Sequence, residues 1–242
     1  MSEDAEPSQR LNVRVLPQPN DSVCGPTCLQ AVYSYYGDPH SLEDVIAEVP
    51  ELPDGGTLAV HLGRHALKRG YSAKIYTNNL QTFDPTWFKG DVDLKDKLLQ
   101  QANKKASSKL QLATLAYVEF LDLGGQIRLE PFTPELLRSY INQGIPVLAG
   151  LSATYLYDCP RELPDGTFDD VQGTPTGHFV VIQGYDHESD RVLIADPLPD
   201  NPLHAKRYYS VDLSRLLAAI HLGIVTYDAN LLVIEPGAGK TR

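Results

Sequence analysis

The sequence predicts an α+β protein in which an N-terminal helix carrying Cys24 packs on an antiparallel sheet carrying His178 and Asp196. Three observations support this. Leu29-Gln-Ala-Val-Tyr-Ser-Tyr-Tyr36 is an apolar stretch that opens at a cysteine and stops at Gly37. Thr176 to Pro197 reads as strand, turn and strand. Of the 242 residues, 42% are hydrophobic and 21% charged, enough for a sizeable core.

Taken in order, residues 1 to 10 look like a disordered lead-in and Asn12 to Leu16 like a short extended arm. Pro26 suits the first turn of the Cys24 helix, where no N–H donor is needed. Gly37 suits the position just past its end. Ser41 caps Leu42 to Val49, with Asp44 at the capping-box position. Gly55-Gly56 breaks the chain, and Leu58, His61, Leu62, His65 and Ala66 repeat at helical spacing up to Gly70. Tyr71 to Thr77 is rich in β-branched and aromatic residues and reads as a strand.

Leu94 to Leu123 holds two helices, a helical insertion spanning about 94–125 within one domain of residues 11–236. Gln126 to Glu130 is a strand, and Thr133-Pro134-Glu135 opens a helix. Ile145 to Leu151 is a buried strand, after which Ser152 to Gly177 forms a long acidic loop of the kind that serves as a lid or binding element. Ala205 to Val211 and Ala229 to Glu235 are strands flanking a helix near Asp212 to Ile220, and 237–242 is a flexible tail.

The chemistry begins at Cys24, placed where a helix starts. Backbone N–H groups and the positive dipole end at such a site favour a thiolate over a free thiol, whose ordinary pKa is about 8.5. A base is expected from Phe179 to Ile182, an apolar strand that opens at His178. If the turn centres on Glu188, Val180 faces Asp196 within about two positions. His178 and Asp196 then share one end and one face of a hairpin. The carboxylate is expected to hold Nδ1 and turn Nε2 toward the sulfur. Asp186 lies near the far end, about 25 Å off at ~3.3 Å per residue. The side-chain amide of Gln18 could join the Cys24 N–H in binding an oxyanion, about 3 kcal/mol of barrier per donor.

Gln18, Cys24-Gly25-Pro26, Gly177-His178-Phe179-Val180-Val181 and Ala195-Asp196-Pro197 together resemble the bacteriocin-processing (double-glycine leader) cysteine peptidases, free-standing members included. The resemblance runs from about residue 13 to 235, with its specific part confined to these blocks. It implies a papain-like fold, with Cys24 as nucleophile, His178 as general base and acid, Asp196 as its orienter and Gln18 as oxyanion donor. It implies a cysteine peptidase or amidase working through a thioester on a peptide or amide substrate. An acyl or aminoacyl transferase would use the same first half-reaction, and an inactive binding module would keep the scaffold with an inert thiol. Free-standing relatives sometimes neighbour ATP-grasp amide ligases, which suggests a pathway link.

Other features exclude other classes. The formal charge of −10 and the isolated pairs Lys104-Lys105 and Lys206-Arg207 argue against nucleic acid. No stretch reaches the roughly eighteen apolar residues of a membrane span. The acidic start is the reverse of a secretory signal, and three cysteines suit reduced thiols, so a cytoplasmic protein is expected. Cys28, one turn from Cys24, reads as a packing residue. His61 and His65 lack the intervening glutamate of a zinc protease, and Gly237 to Thr241 has no room for the helix of a phosphate loop. No cofactor or metal is called for.

Overall fold

The computed structural model describes residues 9–53 and 55–237. The chain begins with a two-residue strand, β1 (Gln9–Arg10), that pairs antiparallel with residues 184 and 185. The expected disordered lead-in is therefore corrected at its last two residues, and 1–8 lie outside the described part. Backbone pairing here overrides a locally polar sequence.

Helix α1 (Cys24–Tyr35) starts at Cys24 itself. Its end is a Schellman closure: Gly37, at φ +73°, donates to Ser34 O, and Asp38 N donates to Tyr33 O. Helix α2 (Leu42–Glu48) has the expected cap, since Ser41 Oγ accepts from Asp44 N at 3.1 Å. Helix α3 (Ala59–Lys68) and strand β2 (Tyr71–Thr77) follow. After a 3-10 turn at Pro85–Phe88, which the sequence reading missed, come α4 (Leu94–Lys104) and α5 (Ser108–Asp122), the two helices of the expected insertion. Leu110, Ala113, Tyr117 and Phe120 form the buried stripe of α5. Phe120 lies so close to Gly63 of α3 that a Cβ there would sit 2.7 Å from its ring.

Strand β3 (Gln126–Arg128), helix α6 (Pro134–Asn142) and strand β4 (Val147–Ser152) keep the predicted order. A short helix, α7 (Ala153–Tyr157), then occupies the start of what reads in sequence as an unbroken loop. The hairpin of β5 (Gly177–Asp186) and β6 (Arg191–Ala195) leads to β7 (Tyr208–Asp212), α8 (Leu213–Leu222) and β8 (Asn230–Pro236).

Among the described residues eight strands form one sheet, in the order β3-β2-β8-β4-β5-β6-β7 with β1 beside β5. The pairing is antiparallel around β5 and β6, as expected, and throughout the sheet except between β2 and β3, which are parallel. The final strand β8 inserts between β2 and β4, joining the two halves of the chain. Helix α1 packs on β5, α3 on β2 and β8, and α8 on β4. One connected core runs from Leu11 to Ile234. Strand β5 lies between β4 and β6 and is buried along almost its whole length, which is why its sequence is apolar without alternation. No helix among the described residues is long and apolar enough to cross a membrane.

Candidate active site

The site forms where the start of α1 meets the start of β5. Cys24 and Cys28 are one turn apart and share a face of α1. The Cys28 thiol donates to Phe179 O at 3.2 Å, so the preceding turn is held against His178. Burial first, and then the nearby charges of Cys24 and Asp196, push the Cys28 thiol well up, so it stays protonated and structural. Gly25 permits this docking. A Cβ there would meet Thr57 Cγ2 at 2.7 Å and a Phe179 ring carbon at 3.3 Å. The residue before the helix, Val23, offers no side-chain cap, so the first backbone N–H groups of α1 are not taken up by one.

In the hairpin, Val181 pairs with Ala195 and Ile182 with Ile194, the predicted register, before a bulge shifts the pairs beyond. His178 Nε2 bonds Asp196 Oδ1 at 2.9 Å, and Cys24 lies within electrostatic reach of the ring. Because Nε2 is committed to the carboxylate, Nδ1 is the nitrogen left for the sulfur. This reverses the orientation expected from sequence. The reason is distance: Asp196 sits diagonally across the hairpin from His178, a separation of about 7–8 Å that only the far end of the ring can span.

Asp196 is wholly buried and its carboxylate is saturated. Besides His178 it accepts from Leu198 N at 2.9 Å, Tyr157 Oη at 2.8 Å and Tyr209 Oη at 2.6 Å. Burial by itself would raise its pKa, but the His178 charge and these hydrogen bonds hold it below the ordinary carboxylate value. For His178, burial opposes charging, yet the carboxylate of Asp196 and the sulfur of Cys24 outweigh it and lift the imidazole to about 10. Both tyrosines stay phenols, raised by burial and by Asp196. Sequence reading did not find Tyr157 or Tyr209; the available hint for the first was its position at the head of an unusually long loop.

Gln18 is brought to the same place. Its backbone N donates to Pro197 O at 2.9 Å, and its amide oxygen is buried with no hydrogen-bond partner, a cost that functional sites often carry. Asp186 is not part of the site, since it caps the turn by accepting from Glu188 N.

The acidic loop divides in two. Asp165 and Asp169 are turn formers, accepting from Thr167 N and from Val171 and Gln172 N. Glu162, tied by backbone bonds to Thr174, lies near the site, within the electrostatic reach of Asp21 and His178. Burial raises its pKa, as does Asp21. Asp228 sits behind the start of β5, where a Cβ on Gly177 would meet its Oδ2 at 2.4 Å, and burial raises it to about 7. The His61 and His65 pair does not converge: His61 Nδ1 faces Arg64 at 3.0 Å and His65 faces Glu48.

A helix-borne cysteine against a sheet-borne histidine and aspartate defines the class, a papain-like cysteine peptidase. The pattern of the Peptidase_C39 like family matches residues 10–217, and the chain belongs to that family. The fold is shared with a C39-like peptidase from Bacillus anthracis, 16% identical at a TM-score of 0.53, covering 96% of this chain and all of that one. Xylellain, a cysteine protease from Xylella fastidiosa, is similar at 15% identity and a TM-score of 0.47, over 97% and 87% of the two chains. A double glycine motif protease from an AMS/PCAT transporter, solved with its leader peptide, is 16% identical at 0.43, over 94% of each chain. No curated protein matches the sequence.

Proposed function

We propose that the chain cleaves a peptide or other amide bond through a thioester on Cys24. What carries this reading is the His178 ring, bonded through Nε2 to a saturated carboxylate and within electrostatic reach of the Cys24 sulfur. In that arrangement the proton rests on His178 and the sulfur is the nucleophile. Attack on the carbonyl forms the C–S bond and an oxyanion, which the Cys24 N–H and the Gln18 side-chain amide would receive. His178 Nδ1 then gives its proton to the leaving amine as the C–N bond breaks. Water, deprotonated by the same nitrogen, attacks the thioester and releases the acid with the thiolate restored.

The intact His178–Asp196 pair speaks against a binding module that has lost its chemistry, since four hydrogen bonds are spent on one buried carboxylate. Glu162 and Asp21 near the site favour a neutral or cationic substrate segment over an anionic one. The thiol chemistry suits a reducing, cytoplasmic setting, and Cys24, Cys28 and Cys159 are all free.

The test is to incubate the protein and its Cys24→Ala variant with a complex peptide mixture and to read new termini by mass spectrometry. New termini from the parent alone are expected. Equal cleavage by both would remove the mechanism.

A further inference from the structure

At the far end of α1, about 13 Å along the helix from Cys24, three side chains that the peptidase chemistry does not use point at one another. His65, in the last turn of α3, places Nε2 at 2.8 Å from Glu48 Oε2. His40, between α1 and α2, places its Nε2 at 3.5 Å from the same oxygen. All three donor atoms lie within 4.8 Å of one another. His40 Nε2 is shielded from solvent and has no hydrogen-bond partner, a nitrogen aimed into the cluster with nothing to satisfy it.

The other ring nitrogen of His65 is already held. Nδ1 lies 2.8 Å from Tyr33 Oη, and Tyr33 is buried and kept a phenol. In the metal-free chain the proton between Nε2 and the Glu48 carboxylate sits on the nitrogen; a metal would take its place while Nδ1–H donates to Tyr33 Oη, the outer-shell arrangement that orients metal-binding imidazoles. A cavity of about 250 Å³, lined in part by Glu48 and His65, opens onto the cluster and supplies an entry path and room for water. Of the cations along that cavity, Arg64 and Lys68 share the one carboxylate of Glu119, and Arg69 pairs with Asp38.

We propose that His40, Glu48 and His65 bind one divalent ion of the zinc class, through the two Nε2 atoms and a Glu48 carboxylate oxygen, with water in the fourth position. Metal–ligand bonds of roughly 2.0–2.2 Å in a tetrahedron separate neighbouring ligands by about 3.4 Å. The two Glu48 separations, 2.8 and 3.5 Å, bracket that figure, and half-exposed Glu48 can move to even them. Two imidazoles and one carboxylate suit zinc and its neighbours better than magnesium or calcium, which want oxygen donors. The ion would clamp the α1–α2 connection, α2 and α3 together, acting on stability rather than on the bond-breaking step.

The test uses the full chain titrated calorimetrically with Zn²⁺, and the same protein loaded with Co²⁺ for its visible spectrum. One Zn²⁺ per chain is expected, with a Co²⁺ spectrum of tetrahedral type lacking thiolate-to-metal absorption, and a melting temperature raised by zinc. The metal-free melting temperatures of His40→Gln and Glu48→Gln serve as the references against which each zinc-induced rise is read. Each variant should weaken zinc binding by about tenfold or more and abolish the zinc-induced rise. Absence of stoichiometric binding, binding undiminished in both variants, or a cobalt–thiolate band placing the ion on Cys24 would each overturn the proposal.

Discussion

Asp196→Asn keeps the volume of the side chain and removes its charge, which makes it a direct probe of the ion pair. In the parent the imidazole of His178 is lifted from 6.5 to about 10 against the effect of burial. That rise represents roughly 5 kcal/mol of net preference for the charged ring. Asp196 is the foremost of the two charges that produce it, so about 2–3 kcal/mol should vanish with the carboxylate, a factor of about 30 to 150. An asparagine also directs N–H groups at His178 Nε2 and favours the wrong tautomer. The assay is alkylation of Cys24 by iodoacetamide, followed by mass spectrometry across pH. At pH ~6 the variant should react about 30 to 150 times more slowly than the parent. The gap should close toward pH ~10, where the parent ring loses its proton. Equal rates at pH ~6, with both proteins folded, would refute the assignment of Asp196 as the partner of His178.

Other expectations follow from the same contacts. Tyr157→Phe and Tyr209→Phe each remove one donor from buried Asp196 and should cost about 1.5–3 kcal/mol in denaturant titrations. Because both phenols meet the same oxygen, the double variant should depart from additivity. Gly25→Ala should destabilise by about 1–3 kcal/mol through overpacking. Adding Thr57→Ser, which deletes the methyl that would sit 2.7 Å from the new Cβ, should restore part of the loss. Asp228, raised from 3.8 to about 7, contributes stability that is full below the lower value and fades as pH rises through the higher. Asp228→Asn should flatten thermal melts across that window by up to about 4 kcal/mol. The charged His178 follows the same sense over a higher range: its contribution is full below 6.5 and is lost as pH passes about 10.

Local chemistry was legible in the sequence wherever neighbours along the chain decide the outcome. The cap at Ser41, the stop at Gly37 and the two-faced burial of β5 need only residues within a turn or a pleat, and they came out as read. The hairpin register at Val181 and Ala195 followed from turn length, which put His178 beside Asp196. Tertiary structure alone decided the rest. Which nitrogen of His178 meets the carboxylate depends on a diagonal distance between strands, and a period of two specifies a face without a reach. Tyr157 and Tyr209 arrive from α7 and β7 to complete Asp196, and no local pattern in the sequence ties either to that carboxylate. The place of β8 between β2 and β4, and the meeting of His40, Glu48 and His65, arise from packing between elements far apart in the chain. Sequence periodicity encodes how much of an element is buried, whereas its neighbours are chosen by the global packing of the core.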